Sequence, residues 1–435
     1  MSKIGRDVVI SGVGPVTAIG VGQGDLWAAL QNGTVGAAMR PLPVDVGRVI
    51  EVPVASMPPC ADVPGLAPHL DYLSSQECDR HRDLAYSLLA TELALADARL
   101  DYNRSNNNVG VIQAFEAPGV ESTVVKLFEL LRLAVGEPGA SMPPPAFSRG
   151  SGGPPPVYDL LAPNFYNMQP FVYVHLAAKA FGFRGFCTSV HNACSSGAFA
   201  LQVAADQIRR GAVDAMIVAG GEAFDTGVRL EWFHRLGLYA KSPRMQPFAQ
   251  DAAGFFVGEG GAAIVLESAE RAASRGAGVY ARLTGAGFAH QGWKQTIPDL
   301  PSARLADVIK DALRTSGRTA ADVDLIAPHG AGTNLSDSYE AQCTEAALGT
   351  KLKSAVATFK PFVGHMLACS GITDTICGLL ALRNGRVPGT PHIGGATAFP
   401  ASLPTQTLSR SVKTMLKLFT GFTGHDAAMV FEGES

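Results

Sequence analysis

Short apolar runs alternate with longer amphipathic stretches along most of the chain. Residues 7–14 (Asp-Val-Val-Ile-Ser-Gly-Val-Gly) form an apolar run closed by Pro15, and residues 25–33 open on Asp25 and close on Gly33. The first reads as a strand and the second as a helix with its start and stop residues in place. The pattern continues with a helix over 79–100, a strand over 109–113, a helix over 195–210 and strands over 214–220 and 262–266. It then restarts with a strand over 280–287 and a helix over 305–316, whose Leu305, Val308, Ile309, Ala312 and Leu313 recur at helical spacing, followed by a strand over 324–328. Such alternation predicts a layered α/β fold. No residue-level repeat is visible, but the order of elements repeats, which predicts two similar halves, 1–275 and 276–435. Residues 136–163 break the pattern: their prolines remove backbone donors and fix φ, so the stretch reads as a long surface excursion. Residues 221–247 read as loop.

Composition narrows the function classes. With 435 residues, 47% hydrophobic and 17% charged, the chain buries a large core. A net charge of −3 without basic runs gives no footprint for nucleic acid or a membrane surface. No apolar stretch is long enough to span a bilayer and residues 1–10 lack a signal-like core, so the expected location is cytoplasmic. The seven cysteines are odd in number and scattered without Cys-x-x-Cys spacing, which argues against a disulfide framework and a zinc site. Cys343, Cys369 and Cys377 read as core residues. Gly12-x-Gly14 reads as a tight turn rather than a dinucleotide loop, because Pro15 follows at once.

Cys194 stands at the start of the 195–210 helix, whose unpaired N–H groups and dipole favour a thiolate and can stabilise an oxyanion. Equally open on position alone is a buried cysteine at a tight helix start, with Ser195, Ser196 and Gly197 allowing close packing. Two histidines bear on the choice. His329 closes the apolar strand 324–328, and His365 precedes an apolar helix, each with glycine beside it, at strand ends where α/β folds place their sites. Lys360, five residues before His365, and Glu340, eleven after His329, extend these into an expected cluster of neutral imidazole donors with a Lys–Glu pair fixing charge and geometry.

On these residues the sequence resembles the β-ketoacyl synthases, the ketosynthases of the thiolase-like fold. The resemblance runs through Asp79-Arg80, Pro163-Asn164, Asn192-Ala-Cys-Ser-Ser-Gly197, Gly254-Phe255, Gly258-Glu-Gly260, His329-Gly330, Lys360, Gly364-His365 and Gly421-Phe422. It implies two similar α/β halves in α-β-α-β-α layers and a discrete type II enzyme of polyketide or specialised fatty-acid biosynthesis. Cys194 would accept an acyl chain from an acyl carrier protein, while His329 and His365 promote decarboxylation of a malonyl thioester and stabilise its enolate. Lys360, held by Glu340, would order the site. Backbone N–H groups of Cys194 and Phe422 would form the acyl oxyanion hole, and Thr333 would contact the phosphopantetheine arm. The resemblance implies no metal or organic cofactor, and a homodimer or a heterodimer with a related ketosynthase-like chain.

Several positions depart from the family pattern. Ala331 replaces a threonine, Thr420 a bulky ring, and Thr423 the flexible glycine after the gating Phe422; the β-branched Thr423 is expected to stiffen the gate because it does not visit glycine's conformations. An acyltransferase to an alcohol or amine on the same fold is a competing reading, opposed by Lys360 and both histidines. A noncatalytic partner resembling a chain-length factor is another, opposed by Cys194. A basic patch for an acidic carrier protein would draw on Arg80, Arg82, Arg235, Lys241 and Arg244.

Overall fold

The computed structural model describes residues 6–45, 48–78, 81–125, 127, 166, 169–350, 352–393 and 397–434. The proline-rich stretch 136–163, Asp79-Arg80 and Pro163-Asn164 lie outside these residues. A single sheet of 11 strands runs through the molecule. Across it lie, in order, Ala355–Val356, Leu325–Ala327, Thr414–Gly421, His425–Glu432, Ala281–His290, Val8–Thr17, Gly260–Ser268, Ala215–Glu222, Val109–Ala114 and Cys187–Val190, with Gly20–Val21 pairing to one side of Val8–Thr17.

The repetition of elements is visible in this sheet. Outward from Val8–Thr17, successive pairings are antiparallel, antiparallel, parallel and parallel. Outward from Ala281–His290 they follow the same sequence. Each set has its outer strands parallel, and parallel strands require helical crossovers that cover the sheet faces. The central strands are accordingly buried end to end, with Val8–Thr17, Ala215–Glu222 and Gly260–Ser268 buried at every position.

Two of the crossover helices matter most. Ser196–Arg209 follows the edge strand Cys187–Val190, and Leu367–Asn384 follows Ala355–Val356, so they occupy equivalent places in the two sets. The second helix is buried from Leu367 through Leu382, as expected of a helix apolar all round. Their first turns meet at glycines: a Cβ on Gly197 would lie 2.8 Å from the Ile372 nitrogen, and Gly371 stands against the Gly197 Cα. Any side chain there would force the helix starts apart.

The helix expected over 79–100 is observed as Arg82–Ala98, and the 195–210 helix as Ser196–Arg209. Residues 221–247, read as loop, contain the helix Val228–Arg235. Only Leu230 and Phe233 of that helix are buried, so its polar sequence carries too narrow an apolar stripe to register as a periodic pattern.

Candidate active site

Cys194, His329 and His365 line one cavity of about 720 Å³, although more than 130 residues separate the cysteine from either histidine in sequence. The cysteine arrives on the turn after the edge strand, where Ala193 takes φ 47°. Its neighbours brace that turn: Ser196 Oγ accepts the Asn192 N–H at 2.8 Å and Ser195 Oγ donates to the His425 carbonyl at 2.8 Å. The Phe422 N–H donates to the Cys194 sulfur, which places one of the two expected oxyanion donors.

The thiol does not have the lowered pKa that a helix start suggests. Burial pushes it up, the carboxyls of Glu116 and Glu222 push the same way, and Lys360 and the Phe422 N–H only partly oppose them. A helix terminus contributes at most about 2 kcal/mol toward an anion, whereas removing a charged group from water costs several. The resting sulfur is therefore a thiol.

His329 and His365 stand edge to face, with ring centroids 5.3 Å apart. His365 Nδ1 accepts the Leu367 N–H at 3.2 Å and lies 2.8 Å from Ser370 Oγ. A backbone N–H can only donate, so the neutral ring carries its proton on Nε2. His329 Nδ1 faces the Lys360 ammonium at 3.5 Å, which assigns the same tautomer. Burial, joined by the charges of Lys360 and Lys417, holds both imidazoles well below the usual histidine range; His365 adds to the effect on His329. The cavity is thus furnished with two neutral Nε2–H donors. The turn before His365 requires Gly364, whose φ is 79° and whose absent Cβ would lie 2.6 Å from the Val257 carbonyl oxygen.

The expected Lys360–Glu340 pair is replaced by a different arrangement. Glu340 is buried, and its carboxylate accepts the His329 and Gly330 N–H groups, so it fixes the backbone that carries His329. Lys360 instead pairs with Asp374 at 2.6 Å and donates to the His329 carbonyl at 2.5 Å. Lys417 reaches the same Asp374 oxygen at 3.3 Å and donates to the Pro328 carbonyl at 3.1 Å. Sequence reasoning missed Asp374 and Lys417, yet a signal was present. Asp374 is the sole charged residue of Leu367–Asn384 before Arg383, and Lys417 interrupts the apolar strand Thr414–Gly421; a charge in such a place needs a partner.

Lys417 is fully buried and its pKa falls from 10.5 to about 8, with burial the largest cause. Charging it in the folded state is therefore penalised at every pH below 8, and the penalty fades as pH rises toward 10.5. Lys417→Met removes this penalty together with the bonds to Pro328, Leu418 and Asp374, so any gain over the wild type is expected to be largest below pH 8. Urea unfolding at several pH values checks this: the gain must shrink between pH 8 and pH 10.

Phe422 and Thr423 border the same cavity. The structure corrects the expectation for Thr423, which does adopt a glycine-like conformation, with φ 65° and ψ 6°. That strain of about 1–2 kcal/mol is balanced by two bonds: its N–H to the Gln295 carbonyl at 2.5 Å and its hydroxyl to the Phe422 carbonyl at 2.6 Å. The Phe422–Thr423 turn is latched to the neighbouring loop. Thr423→Gly, which relieves the strain but loses the hydroxyl bond and adds unfolded-chain entropy, is expected to change stability by less than about 1 kcal/mol and to broaden the range of acyl lengths that load on Cys194. Unfolding midpoints and a mass-spectrometric length series measure the two effects.

Thr333 lines the cavity at the start of the helix Asn334–Leu348, and Ala331 and Thr420 line it as well. Asp426 lies away from the reacting groups, accepting the Tyr339 hydroxyl at 2.6 Å and the Gln291 amide at 2.9 Å. Of the expected basic patch, Arg82 pairs with Asp225 and Arg235 with Glu231, Arg244 is exposed, and Arg80 lies outside the described residues. Lys241 lines the cavity, and Lys294, which sequence reasoning did not single out, joins it there.

Family models match in two blocks: "Beta-ketoacyl synthase, N-terminal domain" over residues 160–272 and "Beta-ketoacyl synthase, C-terminal domain" over residues 280–394, together more than half of the chain. A polyketide beta-ketoacyl synthase of Streptomyces halstedii is 28% identical, with 98% of each chain covered. The 3-oxoacyl-[acyl-carrier-protein] synthase 2 of Coxiella burnetii is 27% identical, again with 98% of each chain covered. Among solved structures, the ishigamide ketosynthase/chain length factor superposes with a TM-score of 0.82 at 24% identity, covering 99% of this chain and 100% of that one. With that fold and those two matched blocks, the chain belongs to the β-ketoacyl synthase family, and its architecture is the thiolase-like one of the ketosynthases.

Proposed function

We propose that the protein catalyses a decarboxylative Claisen condensation between an acyl group carried on Cys194 and a malonyl unit carried by an acyl carrier protein, in polyketide or specialised fatty-acid biosynthesis. The observation that supports this above all is the shared cavity in which the cysteine faces two neutral Nε2–H donors. In loading, the Cys194 sulfur bonds to the thioester carbonyl carbon, the carbon–sulfur bond to the phosphopantetheine breaks, and the thiol proton leaves with the departing thiolate. A resting thiol is sufficient, because the leaving group takes the proton. In the second step the two Nε2–H groups hold the malonyl thioester oxygen as carbon dioxide departs and the electron pair becomes an enolate. The enolate carbon attacks the acyl-Cys carbonyl, whose oxyanion meets the N–H groups of Cys194 and Phe422; the tetrahedral centre collapses, the sulfur leaves as thiolate and takes a proton from solvent to restore the thiol. Lys360 and Glu340 act as positioning residues, through the His329 carbonyl and the His329 N–H respectively. The scheme calls for no metal or organic cofactor.

The phosphopantetheine arm would enter past Thr333 and Phe422, with Lys241 and Lys294 beside the mouth for an acidic carrier protein. A second ketosynthase-like chain, identical or related, would pair at the sheet end formed by Cys187–Val190. Among the described residues that strand has an open edge, with exposed Phe186 and Phe171 nearby, and an open hydrophobic edge invites a partner strand. No helix of the described residues is long and apolar enough to cross a membrane, and we place the protein in the cytoplasm. The division of the chain near residue 275 follows the repeated strand order.

Intact mass after mixing the protein with a panel of acyl carrier thioesters tests the reading. An acyl adduct on Cys194, followed on addition of malonyl carrier by carbon dioxide release and a chain longer by two carbons, is the expected result. Absence of any adduct, with stimulation of condensation by a second chain whose own cysteine is intact, would favour the noncatalytic-partner reading.

A further inference from the structure

Lys417 has no part in the chemistry proposed above, although its side chain is bonded to the residue just before His329. The parallel ladder between Leu325–Ala327 and Thr414–Gly421 ends at the pair Ala327 and Lys417. Pro328 follows, and a proline has no N–H with which to continue the ladder. Its carbonyl is taken up by a side chain instead. Lys417 Nζ donates to the Pro328 carbonyl at 3.1 Å, to the Leu418 carbonyl at 2.9 Å and to Asp374 Oδ2 at 3.3 Å. Three acceptors use three N–H bonds, which the ammonium has and the neutral amine lacks.

Lys360 makes the matching contacts one residue further along. Its Nζ donates to the His329 carbonyl at 2.5 Å and to the same Asp374 oxygen at 2.6 Å, and it faces His329 Nδ1 at 3.5 Å. The consecutive carbonyls of Pro328 and His329 are thus held by two ammoniums that converge on one carboxylate oxygen. Asp374 Oδ1 has no partner among the described residues, so the two lysines are what hold this carboxylate. Glu340 holds the N–H groups of His329 and Gly330. Lys417, Lys360 and Asp374 do not line the cavity, so they act on the substrate only through what they hold.

We propose that Lys417 is a positioning residue of the condensation: its ammonium, bonded to Pro328 and Asp374, fixes both the loop and the Lys360 contact that aim His329 at the malonyl thioester oxygen. The inference rests on the condensing function proposed above. Two ammoniums, Lys360 and Lys417, face two acids, Asp374 and Glu340, and Cys377 on the helix of Asp374 is a further titratable group within reach of them. Removing Lys417 takes away a cation that helps to keep both imidazoles neutral, so each takes up a proton at higher pH. A proton on His365 Nδ1 would meet the Leu367 N–H, and one on His329 Nδ1 would meet the Lys360 ammonium. Either ring must then turn from its aim.

The test compares wild type with Lys417→Met, which keeps an unbranched side chain without the charge. Decarboxylation of malonyl carrier and loading of Cys194 by an acyl carrier thioester are each followed against pH. The kcat of decarboxylation is expected to fall ~10-fold or more, with KM for malonyl carrier and the loading rate within about threefold of wild type. The acid limb of the decarboxylation profile is expected to move up by at least ~0.5 pH unit. A folded Lys417→Met with wild-type kcat and an unmoved acid limb overturns the proposal. So does an equal fall in loading and decarboxylation, which would make Lys417 purely structural. Should Lys417→Met fail to fold, Lys417→Ala with added methylammonium carries the test. Decarboxylation restored by methylammonium but not by tetramethylammonium, which has no N–H, supports the proposal, and the same rate with either ion overturns it. Wild-type protein that decarboxylates no malonyl carrier overturns the condensing function itself, and this inference with it.

Discussion

Cys194→Ala is expected to abolish covalent acylation completely while leaving slow malonyl decarboxylation in place. Loading needs the sulfur as nucleophile, and the groups beside it do not replace it: the two imidazoles present N–H rather than a lone pair, and Lys360 is buried against Asp374. Decarboxylation needs only a polarised thioester carbonyl, and the donors for that belong to His329 and His365. The measurement pairs intact mass for the acyl-enzyme with labelled carbon dioxide release from malonyl carrier. If the alanine variant still forms an adduct, the nucleophile lies elsewhere; if decarboxylation vanishes together with loading, the two steps are not separable in the way the geometry implies.

His365→Ala is expected to show the converse. Loading persists, because the Phe422 N–H and the start of Ser196–Arg209 are backbone features that the substitution does not touch. Condensation and decarboxylation fall by ~10² or more through loss of one positioned donor to the enolate oxygen. The pH behaviour supplies an independent check. Both imidazoles are held neutral in the folded protein well below the usual 6.5. The unfolded chain therefore takes up more protons as pH falls below 6.5, so stability that is present above 6.5 is lost on acidification. The variant, with one such histidine, is expected to lose less stability between pH 6.5 and pH 5 than the wild type, read from urea midpoints.

The catalytic constellation was readable because each member carries a local mark. Cys194 stands between a strand and a helix, and His329 follows the strand Leu325–Ala327 beside Gly330; His365, read as ending a strand, instead follows Gly364 and the short helix Lys360–Val363. What escaped sequence reasoning was pairing between distant elements. Glu340 was assigned to Lys360 because both lie near a histidine in sequence, but its carboxylate is occupied by the His329 and Gly330 N–H groups of the loop before its own helix, and the lysine turns to Asp374 on Leu367–Asn384. The thiol was expected to be acidic from its place at a helix start. Only the depth of its burial, with the carboxyls of Glu116 and Glu222, reverses the sign.

By itself the sequence determined the alternation of strands and helices, the repeated order of elements, Cys194, His329 and His365 as the candidate site residues, and the resemblance to the ketosynthases. These follow from periodicity and from residues whose chemistry is fixed by type and immediate neighbours. The tertiary structure alone decided which carboxylate holds Lys360, that Lys417 shares it, that Thr423 is latched in a left-handed conformation, and that burial with the carboxyls of Glu116 and Glu222 raises the thiol pKa. Each of those depends on the strength of a charge or a strain in a particular surrounding. Dielectric, burial and competing partners are set by elements that meet only when the sheet is assembled, so no local pattern in the chain encodes them.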